Sequence, residues 1–297
     1  MPLVPTGDII NEAAHGVGAF NVVLLEQLEA VLAGAEEANA PVIVQISENA
    51  VAYRGALGPL AAAAHEAVAS VSVPVALHLD HATGTGLIKE AVERGFTSVM
   101  YDGAHLPWEE NVARTHEMSQ WCHERGVWVE AELGAIGGKD GAHTPGVRTD
   151  PGEAARFVAD TGVDALAVAV GSSHQMTRRT ARLDLDLIRE LRAAVPVPLV
   201  LHGSSGVADS NLTAAVHAGM RKINIATHLN TVFSAAARAR LTSQPPTVDP
   251  RAYLRPAREA MAQEVARLLR LLGQGPDARQ PDADDAEREQ EHDPARG

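Results

Sequence analysis

Cysteine is nearly missing from this sequence: Cys122 is the only one in 297 residues. One thiol excludes an internal disulfide framework and any metal site built on several thiolates, and it fits a reducing cytoplasm. Aromatic residues make up only 3%. Ala, Val and Leu must therefore fill the core, which suits a tightly packed barrel better than a sandwich built on large rings. A basic surplus is also lacking. The net charge is −13, with part of the acidic excess in Asp277, Asp282, Asp284, Asp285, Glu287, Glu289, Glu291 and Asp293. That excludes non-specific nucleic-acid binding. It also means that an anionic substrate must be held by local donors rather than by the field of the whole protein. The N-terminus carries no basic stretch followed by an apolar one, and no run approaches the ~18 apolar residues of a membrane span. A soluble, cytoplasmic protein with neither nucleic-acid nor membrane partners is expected.

Apolar residues reach 45%, enough for a sizeable core, and the length allows one large α/β barrel or two small domains. Short runs rich in Val, Ile and Leu recur at 18–23, 41–47, 74–80, 98–102, 127–134, 165–171, 198–203 and 223–227. Most are continuously apolar rather than alternating, as parallel strands covered by helices require. Helix-like segments lie between them at 24–39, 59–72, 86–94, 109–125, 150–161, 185–194, 209–218 and 229–241. The Asp150-Pro151 pair reads as an N-cap with proline at the first helical position. Eight strands alternating with eight helices point to a (β/α)8 TIM barrel. A doubly wound open sheet is the rival, but no Gly-x-Gly-x-x-Gly follows the first strand. One more helix is expected over 251–272, giving a barrel domain of 1–272. Residues 273–297 are acidic, with almost nothing to bury, and read as a disordered tail.

Reactive groups of such barrels sit at the C-terminal ends of the strands. Three of those ends carry His81, His174 and His202. Three imidazoles with an open fourth position make a catalytic zinc site. Asp80, Asp102 and Glu132 stand nearby, able to orient ligands, transfer protons or hold a second cation. One histidine at a strand end is usually a hydrogen-bonded rim residue; three converging with carboxylates reverse that reading. His78 shares the strand parity of Asp80 and reads as a buried core histidine. Glu130 has two readings, support for the rim or a paired interior acid. His15, His65, His105, His116, His123, His143, His217, His228 and His292 read as structural or surface residues. After the seventh and eighth strands, Gly203-Ser204-Ser205-Gly206 and Ala226-Thr227 offer backbone N–H groups and hydroxyls where barrels commonly bind phosphate.

Several long motifs in one order carry a resemblance. They are His-Leu-Asp-His at 78–81, Ser-Val-Met-Tyr-Asp-Gly-Ala-His-Leu-Pro-Trp-Glu-Glu-Asn at 98–111, Val-Glu-Ala-Glu-Leu-Gly at 129–134, Thr-Gly-Val-Asp-Ala-Leu-Ala-Val-Ala-Val-Gly at 161–171, Pro-Leu-Val-Leu-His-Gly-Ser-Ser-Gly at 198–206 and Lys-Ile-Asn-Ile-Ala-Thr at 222–227. Together they resemble the class II fructose/tagatose-bisphosphate aldolases, over nearly all of the chain except the tail. The resemblance implies a zinc ion on His81, His174 and His202, and proton exchange at the C4 oxygen by Asp80. Asp102 and Glu132 match positions for a second divalent ion or an alternative metal position. Gly203, Ser204, Ser205, Asn224, Ile225, Ala226 and Thr227 would grip the phosphate and dihydroxyacetone end, with Asn21 and Ser47 also on the substrate. Arg251 matches an arginine that in some members reaches the neighbouring subunit's site, so a dimer or tetramer is implied. The substrate would be a phosphorylated ketose, cleaved reversibly to dihydroxyacetone phosphate and an aldehyde.

Two departures stand out. The family usually has glycine directly after the second zinc histidine, where its backbone contacts the phosphate and often a monovalent cation; here Gln175 follows, then Met176, Thr177, Arg178 and Arg179. Those arginines read either as other anion contacts or as a solvated loop. The family often has a Glu-Asp pair after the Gly-Gly of its mobile loop; here either Lys139 replaces the acid or the loop is one residue shorter, with Asp140 serving. These changes suggest a divergent subfamily, acting on fructose or tagatose 1,6-bisphosphate or on a related deoxy-ketose phosphate. The other readings are a metal-dependent sugar-phosphate epimerase, isomerase or hydrolase, and a non-catalytic descendant.

Overall fold

Eight parallel strands pair in sequence order and close into a barrel: β1 (Val17–Asn21), β2 (Val42–Ser47), β3 (Val75–Ala82), β4 (Ser98–Tyr101), β5 (Trp128–Leu133), β6 (Ala165–Val168), β7 (Leu199–Leu201) and β8 (Met220–Ile225). β8 returns to β1, with Ala19 opposite Asn224. The computed structural model describes residues 2–133, 148–174 and 176–274. Gly134, Lys139 and Asp140 with their loop, Gln175, and the tail beyond Gln274 lie outside the described residues. The expected (β/α)8 barrel is thus the fold.

The outer faces of the strands pack under helices α2 (Leu25–Ala38), α4 (Gly58–Ala69), α5 (Thr85–Glu93), α6 (Trp108–His123), α7 (Pro151–Thr161), α8 (Leu185–Ala194), α9 (Asp209–Ala218), α10 (Thr227–Leu241) and α11 (Pro250–Leu272). Local chemistry starts several of them. Asp150, Asp184 and Asp249 each accept a backbone N–H in the first turn of α7, α8 and α11, and proline follows Asp150 and Asp249. Inside the barrel the side chains are small, with Ala165, Ala167 and Ala169 packed on Met100 and Val200. Each buried branched aliphatic side chain contributes roughly 1.5–3 kcal/mol. α11 lies against α2, and Gly34 lets them approach: a Cβ there would meet the Ala262 carbonyl oxygen at 2.5 Å.

Two short helices were not expected. α1 (Thr6–Glu12) closes the N-terminal end of the barrel, burying Thr6, Ile9 and Ile10. α3 (Glu48–Arg54) follows β2 directly, with the Ser47 hydroxyl accepting the Ala50 N–H. At seven residues each they are too short to show a helical period. β8 also departs from the expected 223–227. It starts at Met220, and Thr227 already opens α10. Arg221 and Lys222 hid that strand start, because Lys222 turns its charge inward. No described helix is long and apolar enough to cross a membrane.

Candidate active site

Strand alternation alone would send Asp80 and His81 to opposite faces. Two local features bring both to the C-terminal rim. The β3–β4 register shifts between Leu79 and Ala82, and His81 takes φ 53°, the left-handed region. Such a bulge and such strain re-aim side chains at functional sites. Asp80, His81, His174 and His202 then line one cavity of about 320 Å³. The ring centroids stand 4.6 Å apart for His81 and His202, 5.1 Å for His81 and His174, and 5.6 Å for His174 and His202. With Glu132, these three offer ligand atoms that all lie within 4.8 Å of one another, a grouping able to hold a metal ion.

Hydrogen bonds fix which ring atoms face the centre. His81 Nδ1 lies 2.8 Å from Asp102 Oδ2, and His202 Nε2 lies 3.0 Å from Glu130 Oε1. A carboxylate accepts, so each of these nitrogens carries the proton. The opposite atoms, His81 Nε2 and His202 Nδ1, face each other at 2.9 Å. Burial holds the His202 ring well below the ordinary histidine range, the neighbouring His81 adds to this, and Asp80 opposes it. A neutral ring is the ligating form. Glu132 Oε2 stands 3.7 Å from His81 Nδ1 and 4.0 Å from His202 Nδ1.

Asp80 is buried and accepts from Asn21 Nδ2 at 2.7 Å, while Asn21 Oδ1 accepts from Gln45 Nε2 at 3.0 Å. Its other oxygen, Oδ1, has no hydrogen-bond partner among the described residues and lies 4.0 Å from His81 Nε2. Burial pushes this carboxyl up, but its electrostatic interactions with the imidazoles of His81, His202 and His78 and with the Lys222 ammonium outweigh it and hold it well below the carboxylate range. Asp80 is therefore an ionised base with one oxygen turned to the centre.

The loops after β6 and β7 are locked together. Ser172 Oγ donates to the His202 carbonyl at 2.6 Å. Gly203 sits at φ 67°, where a Cβ would come 2.6 Å from the Ser173 backbone. Gly203, Ser205, Ala226, Thr227, Asn224, Asn21 and Ser47 line the same cavity, together with Asn49, Tyr53 and Asn230. The first turn of α10 opens there, so its N–H groups and dipole favour an anion. Ser205 Oγ accepts the His228 N–H at 3.0 Å, and His228 Nε2 bonds Glu264 at 2.6 Å. His228, read as merely structural, thus ties the loop after β7 to α11.

Ser204 turns its hydroxyl to the Leu201 carbonyl, and Ile225 is buried in the strand. Arg251 is fully exposed and pairs with Asp249 on the outside of the chain, away from this cavity. Arg178 is exposed, whereas Arg179 is engaged with Asp209, which also binds Arg267. His78 is wholly buried, with Nδ1 2.7 Å from Ser98 Oγ, as a core histidine. Glu130 fills both of its readings: it supports His202 and pairs with Lys222 Nζ at 2.8 Å. Lys222 and Gln45 were missed. Parity was the available signal, since Lys222 shares it with Asn224, and Gln45 with Ser47.

The family described as fructose-bisphosphate aldolase class-II matches residues 6–275. Fructose-bisphosphate aldolases of Staphylococcus aureus (strain Mu50 / ATCC 700699) and Staphylococcus epidermidis (strain ATCC 12228 / FDA PCI 1200) are 38% identical over 280 residues, 92% of this chain and 98% of theirs. Among solved structures, the YdjI aldolase from Escherichia coli K12 is similar with a TM-score of 0.81 and 31% identity, over 93% of this chain and 100% of that one. The fructose-bisphosphate aldolase from Campylobacter jejuni is similar with a TM-score of 0.76 and 25% identity, over 91% and 95%. The matched span takes in every strand of the barrel and the whole cavity, and the chain belongs to the class-II fructose-bisphosphate aldolase family, whose members are metal-dependent lyases.

Proposed function

We propose that the chain binds zinc through His81, His174 and His202 and cleaves a phosphorylated ketose reversibly to dihydroxyacetone phosphate and an aldehyde. The donor set supports zinc: two imidazole nitrogens face each other at 2.9 Å, each with its other nitrogen donating to a carboxylate. When bound, zinc supplies a Lewis acid for the ketone of the three-carbon half. Asp102 and Glu132 would hold a second divalent ion or an alternative metal position.

The rest is done by this chain's own groups. Asp80 Oδ1 takes the C4 hydroxyl proton in cleavage and returns it to the aldehyde oxygen in condensation. Asn21 holds the other carboxylate oxygen and fixes the angle of approach. The Ser205 and Gly203 loop and the first turn of α10 bind the phosphate, with Ser204 shaping the turn and Ile225 and Ala226 carrying the chain into the helix. Asn224 turns its amide to the substrate oxygens, and Ser47 reaches the far part of the cavity. The single observation carrying this reading is Asp80 Oδ1, unpartnered and 4.0 Å from His81 Nε2.

Fructose or tagatose 1,6-bisphosphate fits the reading, the former placing the reaction in glycolysis; a deoxy-ketose phosphate is the other substrate class, because Lys139 and Gln175 depart from the family's sequence pattern. Arg251, exposed on one chain, would complete a neighbour's site in a dimer or tetramer. The single buried thiol supports a cytoplasmic setting. A cleavage screen over fructose, tagatose and deoxy-ketose phosphates tests the reading. Turnover of one of them that a chelator abolishes and zinc restores is the expected result, and no cleavage of any refutes it.

A further inference from the structure

Lys222 is the one lysine whose charge is fully enclosed among the described residues. It lies inside the barrel, one layer below the histidines. Its ammonium donates to two acceptors, Glu130 Oε2 at 2.8 Å and Asn224 Oδ1 at 2.9 Å. Each acceptor belongs to a group that touches the His202 ring. Glu130 Oε1 takes the proton of His202 Nε2 at 3.0 Å, and Asn224 Nδ2 lies 3.1 Å from that same ring nitrogen. Burying an ion is expensive and seldom improves stability over an apolar replacement, whereas it can fix one arrangement among several.

We infer that Lys222 is a positioning residue: through Glu130 it selects the His202 tautomer that presents Nδ1 to the metal, and directly it selects the Asn224 amide rotamer that presents its N–H donors to the substrate. The physics is a choice at one ring nitrogen between donating to a carboxylate and accepting from an amide N–H. His202 Nε2 meets a carboxylate oxygen on one side and an amide nitrogen on the other. The charge-assisted bond to the carboxylate is the stronger, so Nε2 carries the proton and Nδ1 the lone pair. That outcome requires the Glu130 Oε1 atom on Nε2, and the ammonium, 2.8 Å from Oε2, holds the side chain in that place. Asn224 has two rotamers related by exchange of oxygen and nitrogen. Only one puts the oxygen on the ammonium, and that one leaves Nδ2 on the cavity side. One buried charge thereby sets both a metal ligand and a substrate contact. The inference rests on His202 being a zinc ligand.

Glu130→Gln separates this role from simple charge balance. With Lys222 present, the new amide must turn its oxygen to the ammonium, and its NH2 then points at His202 Nε2. That forces the proton onto Nδ1, the atom that should bind zinc. In the double variant Lys222→Met/Glu130→Gln, both amide orientations are open and neither tautomer is imposed. Outer partners of a metal histidine typically change affinity about 10–100-fold. Zinc affinity, read by competition with a chromophoric chelator, is therefore expected to fall in the order wild type, double variant, Glu130→Gln. The single variant should be at least tenfold weaker than wild type, and the Co2+ absorption spectrum of each should shift in the same order. At saturating zinc, the double variant should lose kcat with the freed Asn224 amide. Equal zinc affinity in all three proteins, with equal thermal midpoints or not, overturns the inference while leaving the zinc site intact. Failure of the wild type to bind zinc overturns the site and the inference together.

Discussion

His81 Nε2 and His202 Nδ1 face each other at 2.9 Å across the floor of the cavity, each ring having committed its other nitrogen to a carboxylate. Two lone pairs at that distance repel unless a cation or a proton lies between them. Zinc should therefore stabilise the fold. Free zinc at a hundred times its dissociation constant contributes about 2.7 kcal/mol. A rise of several degrees in the thermal midpoint on adding zinc to chelated protein is expected by calorimetry, and His202→Ala should abolish most of it.

Asp80 separates chemistry from metal binding. Asp80→Ala should fold and hold zinc with little change, since the three rings and their partners remain. Turnover should fall by about 10²–10⁴, the usual contribution of a positioned general base. Metal content by atomic spectroscopy alongside kcat checks both halves. Loss of the metal would instead make Asp80 part of the binding site.

Gly203→Ala tests the lock between the loops after β6 and β7. The new Cβ would stand 2.6 Å from the Ser173 backbone, at a φ of 67° that disfavours any side chain. Overpacking of this kind costs roughly 1–3 kcal/mol. A lowered urea midpoint is expected together with weaker zinc binding, because Ser173 precedes His174 and Gly203 follows His202.

Acid should destabilise the chain in two stages. Burial, with help from the Lys222 charge, lowers His78 from 6.5 to about 3. Between those values the unfolded chain binds a proton that the folded one refuses, so stability falls as pH drops below 6.5. Glu264 is pushed up by burial but pulled down further by hydrogen bonds from Arg267 and His228, from 4.5 to about 2. Its contribution is complete above 4.5 and is lost as pH falls toward 2. Urea midpoints of metal-free protein should decline gently from pH 6.5 and more steeply below 4.5. His78→Gln should make the decline shallower from pH 6.5 down to about 3, with His202 keeping part of the slope.

Much of this was legible in the residues. Continuous Val, Ile and Leu runs announce strands covered on their outer faces, and reading what each strand ends with finds His81, His202 and Asp80. The start of β8 was hidden because Arg221 and Lys222 look like the edge of a loop; only a partner 92 residues away in sequence, Glu130, makes Lys222 an interior residue. α1 and α3 escaped because one or two turns show no period. The left-handed His81 and the register shift that let neighbouring residues share one face are set by pairing with β4, which no local pattern encodes. Arg251 points outward on a single chain, so any role for it depends on a second copy.

The most direct test of the central claim is release of dihydroxyacetone phosphate from fructose and tagatose 1,6-bisphosphates, coupled to a reporter dehydrogenase, in wild-type and Asp80→Ala protein. Release by the wild type that stops with chelator, returns with zinc, and is almost lost in zinc-loaded Asp80→Ala is the predicted result. Release that persists in chelator, or that survives at the wild-type rate in Asp80→Ala, would contradict the account.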